Sequence, residues 1–140
     1  MTTEARSRLR RDVMDAEGCC LLPYRDTGGT LTIGYGRNLD ANGISALEAE
    51  VLLDHDLAAA EQACRQAFAW YGTLNDTRQQ VLVEMCFNLG LTRLLGFIKA
   101  LAAMEARAYD QAAAEMLSSA WASHVGRRAT RLARMMREGK

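Results

Sequence analysis

Glu17, Asp26 and Thr32 are the residues whose types and spacing could do chemistry together. Glu17 stands between apolar Ala16 and Gly18 at the expected end of a helix, where a following hairpin can fold back beside it. Burial against apolar neighbours raises a carboxyl pKa and keeps the group protonated near neutral pH, the state a general acid needs. Asp26 lies in the polar turn YRDTGG, where a carboxylate stays ionised, and Thr32 lies on the return strand. A protonated carboxyl, an ionised carboxylate and a nearby hydroxyl match the division of labour in glycosidic-bond hydrolysis. The acid protonates the leaving oxygen, while the second carboxylate orients water or attacks. Singly, each residue has an ordinary explanation as a helix-end Glu, a turn Asp or a strand Thr. Their intervals along helix, turn and strand make them a set.

The elements that must position these groups are legible from periodicity and caps. Leu9, Val13, Ala16 and Cys20 fall at helical spacing within residues 3–20, after the potential caps Thr2 and Thr3. The glycine-rich LLPYRDTGGTLTIGYG predicts a hairpin, with Tyr24 and Arg25 on one strand and Leu31 to Gly34 on the next. NLDANG reads as a loop, and Ser45 followed by Glu48 forms a capping box that starts a long helix to about Phe68. Leu47, Val51, Leu57 and Ala58 would be its buried stripe. Asn75 or Asp76 caps the next helix, whose run from Val81 to Leu89 is apolar except at Glu84 and Asn88, and Gly90 closes it. Helices are expected at about 97–107 and 109–119, followed by WASHVG and a basic helix from about Arg127 to Arg137.

The expected fold is therefore α+β and predominantly α-helical: a small N-terminal β-hairpin lobe and a larger helical lobe joined by the long helix. The small lobe is expected over about 18–60 and the helical lobe over about 1–17 plus 61–140. A chain of 140 residues can hold one such domain with a real core but no multidomain machine.

Net charge is zero but unevenly spread. Residues 1–12 carry four Arg against Glu4 and Asp12, and residues 121–140 carry six Lys or Arg against Glu138, so the ends are basic and the middle acidic. The basic last helix reads as a solvated face, with attraction to an anionic polymer as its functional alternative. Cys19, Cys20, Cys64 and Cys86 lack metal-ligand spacing and read as buried, reduced thiols. His55 and His124 have no evident partner, and Met104, Met116, Met135 and Met136 suit helix-face packing. GGTLTIGYG is neither a P-loop nor a dinucleotide fingerprint. The acidic middle, and the lack of a surface interleaving aromatic and basic residues, speak against nucleic-acid binding.

D-A-E-G followed by P-Y-R-D-T-G-G-T-L-T-I-G-Y-G resembles the catalytic stretch of the phage-type lysozymes, or endolysins, a glycoside hydrolase family of tailed phages. The resemblance implies a lysozyme-like fold. It also implies that Glu17 is the acid, that Asp26 directs water and that Thr32 helps hold that water, with inversion as the common outcome. M-C-F-N-L-G at 85–90 resembles the segment that places an aromatic and an amide side chain in the family's cleft. Phe87 and Asn88 are thus substrate-binding candidates, together with Asn38 after the hairpin. W-A-S-H-V-G-R-R-A at 121–129 is similar to the region whose arginine pairs with the acid, which would be Arg128 or its neighbour Arg127. The chain departs from the family at Arg37, where many members have His, and in a shorter loop between hairpin and long helix.

The activity implied is muramidase action on peptidoglycan, with no metal or organic cofactor. A lytic transglycosylase on the same bond and a silent wall-binding module are the alternatives. The N-terminus has no apolar export segment, and no run of about 18 apolar residues occurs. The expectation is a monomer made in the host cytoplasm without a signal peptide or membrane anchor, reaching the wall through a holin in a phage or prophage setting.

Overall fold

The computed structural model describes residues 1–140, and its contacts divide the chain into two compact units, Met1–Glu50 and Val51–Lys140. The dividing point falls inside the long helix.

In the N-terminal unit, α1 (Thr3–Glu17) starts where the Thr2 side chain accepts from the Ala5 N–H. It stops where Gly18, at φ +67°, donates its N–H back to Met14. A left-handed residue ends a helix at low steric cost only when it lacks a Cβ. The helix therefore ends at Glu17 and does not run on to Cys20. Strands β1 (Cys20–Arg25), β2 (Leu31–Gly34) and β3 (Arg37–Asn38) form an antiparallel sheet in the order β1-β2-β3. Tyr24 faces Thr32 across β1 and β2, and Thr32 faces Asn38 across β2 and β3. The register breaks between Cys20 and Tyr24, which lets Pro23 sit in an edge strand without demanding a ladder N–H from it.

The third strand and the short helix α2 (Leu39–Asn42) replace the simple loop expected after the hairpin. Asn38 caps α2 by accepting from the Ala41 N–H, and Asp40 Oδ2 accepts from the Leu31 N–H at 2.9 Å, tying α2 to β2. Thr32 is the one buried residue of this unit.

The long helix α3 (Ala46–Ala67) begins at the expected capping box. Glu48 donates its N–H to Ser45 Oγ at 3.2 Å, and the Ser45 N–H donates to Glu48 Oε2 at 2.7 Å. The Ser45 backbone N–H, then the Ser45 hydroxyl and the Arg37 guanidinium, hold the Glu48 carboxyl below its ordinary pKa. The stripe expected to be buried is not: Leu47 and Val51 are exposed, and α3 buries Ala60 and Cys64 instead. Periodicity identified the helix correctly, but which stripe is covered depends on neighbours that the spacing does not name.

The C-terminal unit holds the core. A single 3-10 turn at Tyr71–Thr73 leads to α4 (Asp76–Leu89), capped by the Asn75 side chain and closed at Gly90. Then follow α5 (Leu91–Leu95), α6 (Ile98–Glu105), α7 (Tyr109–Leu117), α8 (Ala120–Val125) and α9 (Arg127–Glu138). Helix α7 packs on α6 and α9, and α9 also packs on α4. Leu82, Met85, Leu94, Met104, Met116, Leu132 and Met136 are fully buried at the centre. Arg78 fastens the chain end: its Nε donates to Met136 O at 2.8 Å and its Nη2 to Arg137 O at 3.1 Å. Its guanidinium lies 3.6 Å from the centre of the Tyr109 ring.

The four cysteines do not share one environment. Cys64 and Cys86 are buried, whereas Cys19 and Cys20 are exposed at the start of β1, because the N-terminal unit lacks the layers that would cover them. Burial first, and neighbouring Cys86 second, push the Cys64 thiol up to about 12. Since only a thiolate attacks an alkylating reagent, Cys19 and Cys20 are expected to be labelled in the folded protein. Cys64 and Cys86 should be labelled only after unfolding, and peptide mapping that finds Cys64 modified under native conditions would contradict this burial.

Candidate active site

The N-terminal unit builds its site on one tight turn. Asp26 follows the last residue of β1, and its backbone N–H donates to Thr30 O at 3.0 Å. Its side-chain Oδ1 accepts two backbone N–H groups, from Gly28 at 2.9 Å and Thr30 at 2.8 Å. These bonds fix the carboxylate in an Asx-type turn and leave Oδ2 for a ligand. Arg25 closes the turn from outside, donating through Nη1 to Gly29 O at 2.9 Å. Thr32 joins the same array, since its Oγ1 donates to Thr30 O at 3.0 Å. Thr30 thus links Asp26 and Thr32 through its backbone alone, a role with no sequence signature because any residue has an N–H and a C=O.

Glu17 ends α1 and is exposed, so the apolar burial expected around it is not supplied by the elements of its own unit. What those elements do supply is a bare backbone surface at Gly36, in the turn between β2 and β3. Arg37, on the other side of that turn, donates through Nε to Gly43 O and through Nη1 to Glu48 Oε1, each at 2.7 Å. Arg37, where the chain departs from the family pattern, is thus ion-paired with Glu48. Asn38 contributes its Oδ1 to the α2 cap at 2.8 Å, so its acceptor is already engaged.

The C-terminal unit holds the remaining candidates. Phe87 is 42% exposed, an aromatic face on α4 open to a ligand. Asn88 Oδ1 accepts from Trp121 Nε1 at 2.8 Å, which leaves the Asn88 amide N–H groups as donors. Trp121 meets the Phe97 ring edge-on, with centroids 5.9 Å apart. Trp121 and Phe97 also line an open cavity of about 490 Å³ with Arg93, Lys99, Glu115 and Ser119.

Arg128 donates through Nε to Glu84 Oε1 at 3.1 Å, and Arg131 Nη2 donates to the same oxygen. Arg127 is exposed. Glu84 is a charged residue interrupting the apolar run of α4, and such a group needs a partner when half-buried. His55 and His124 are exposed, and His124 Nδ1 lies 2.8 Å from Ala120 O, a local helical contact.

Comparison with known proteins finds relatives that match most of the chain. The chain is 26% identical over 152 residues to "Probable T4-type lysozyme 2" of Dictyostelium discoideum, covering 88% of this chain and 89% of the relative. The same figures hold for "Probable T4-type lysozyme 1" of that organism. The phage lysozyme family description matches residues 14–138, from before Glu17 to the end of α9. The chain accordingly belongs to the phage lysozyme family and is a glycoside hydrolase of the lysozyme type.

Proposed function

We propose that the protein hydrolyses the β-1,4 bond between N-acetylmuramic acid and N-acetylglucosamine in peptidoglycan, with Glu17 as acid and Asp26 as base. Glu17 gives its proton to the glycosidic oxygen as the bond to the muramic C1 breaks. Water forms the new bond to C1, and Asp26 takes the proton that water loses. Thr32 helps to hold that water.

The observation that carries this reading is the Asp26 turn. Two backbone N–H groups hold one carboxylate oxygen, and Thr30 ties the neighbouring Thr32 hydroxyl into the same array. A base that must direct water from one face of the sugar gains from such fixed geometry. In this reading the outcome is inversion, Asp26 acting on water and not as a covalent nucleophile.

Mass analysis of the muropeptides released from purified peptidoglycan is the direct test. Hydrolysis yields reducing muramic ends, and Asp26→Asn is expected to slow their release on the order of 10²–10⁴-fold, the usual worth of a positioned acid or base. Anhydro-muramic products released at full rate by Asp26→Asn would instead make the protein a lytic transglycosylase. Saturable binding to peptidoglycan without turnover would make it a silent wall-binding module. The same proposal places the protein in host-cell lysis by a phage or prophage, with a holin-type partner giving access to the wall. It rests on the family membership, and lysis of expressing cells only after their inner membrane is opened would support it.

A further inference from the structure

Gly34, the last residue of β2, and Gly36, in the turn to β3, flank Tyr35, and both have positive φ, +66° and +83°. Backbone conformation alone would account for two glycines there. Their surroundings differ. A Cβ built on Gly34 meets nothing within 4 Å, whereas one on Gly36 would stand 3.1 Å from Glu17 Oε2, 3.5 Å from its Cδ and 3.9 Å from its Cγ. A side chain at Gly36 would press on the carboxyl end of Glu17, which would have to give by a few tenths of an ångström.

The turn is held on the side away from Gly34. Arg37 is anchored to Gly43 O and Glu48, and Glu48 is locked into the capping box of α3. The last turn of α1 is set by the Gly18 N–H to Met14 O bond, so the Glu17 backbone has little freedom to retreat. Added bulk at Gly36 must then be met by the Glu17 side chain, which is the softest element in the contact.

We infer that Gly36 is a positioning residue for the acid: its bare Cα is the wall against which the Glu17 carboxyl is set. This rests on the reading of Glu17 as the proton donor and adds what aims it. A misplacement of a few tenths of an ångström or more in a group that must meet one glycosidic oxygen costs turnover and not binding.

The test compares Gly36→Ala with Gly34→Ala, which imposes similar backbone strain without the contact. With soluble glycan-strand oligomers as substrate, Gly36→Ala is expected to lower kcat by about tenfold or more with KM little changed. Gly34→Ala should stay much closer to wild type in both. Glu17→Asp, which withdraws the carboxyl from the wall, should cost less in the Gly36→Ala background than in the wild type, because both changes displace one group. A crystal structure of Gly36→Ala should show the Glu17 carboxyl moved. Equal losses in the two glycine variants, independent Glu17→Asp and Gly36→Ala effects, or an unmoved Glu17 would each overturn the inference. Failure of the underlying lysozyme reading looks different: Glu17→Gln would then keep full release of reducing ends whatever stands at position 36.

Discussion

Glu17→Gln is expected to remove nearly all release of reducing ends from purified peptidoglycan, a loss on the order of 10³-fold or more, at the upper end of what one acid supplies. Gln has nearly the shape of Glu, can rest against the same Gly36 surface and keeps a polar end, but it has no proton to give the leaving oxygen. The loss should therefore fall on kcat, with KM for glycan oligomers largely kept. Because Glu17 is exposed, the thermal midpoint should change little. Release at the wild-type rate by Glu17→Gln would end the assignment of Glu17 as acid.

Leu132→Ala is expected to be the most damaging conservative change in the C-terminal unit among those on α9. Leu132 is 0% exposed, and with Ala129, Ala133 and Met136 it forms the i, i+3, i+4, i+7 face that packs on α7 and α4. Truncating a fully buried leucine costs about 2–5 kcal/mol, from lost transfer energy and the cavity left behind. That is a large fraction of the stability of a domain this size. By contrast, Arg134→Ala, on the exposed face of the same helix, should stay within about 0.5 kcal/mol. Urea unfolding followed by circular dichroism separates the two, and a Leu132→Ala midpoint equal to that of Arg134→Ala would show that α9 is held by something other than its apolar face.

This pair of substitutions also bears on the basic ends of the chain. Arg131 and Arg128 share Glu84, and Arg78 holds the carbonyls at the end of α9, so part of the cationic character of this region is structural. The Glu84 pairs are partly exposed, so they locate the helix more than they stabilise it.

Several features were legible in the sequence because they are local. The Ser45–Glu48 box, the Asn75 cap, the stop at Gly90 and the arginine-rich α9 all form through bonds within a few residues, and the caps fall at the expected positions. The α+β class followed from the same signals. The sequence nominated Glu17, Asp26 and Thr32 through their intervals, and the turn around Asp26 follows from Asp-Thr-Gly-Gly chemistry. Tertiary structure alone decided what surrounds these groups. It left Leu47, Val51, Cys19 and Cys20 exposed, gave Glu84 two arginines from 44 and 47 residues away, and set Gly36 against the carboxyl of Glu17. Caps and periodicity constrain a residue against its neighbours in the chain, whereas burial and pairing depend on which other surface arrives. That is why the sequence could nominate Glu17, whereas only the folded chain could set Gly36 against its carboxyl.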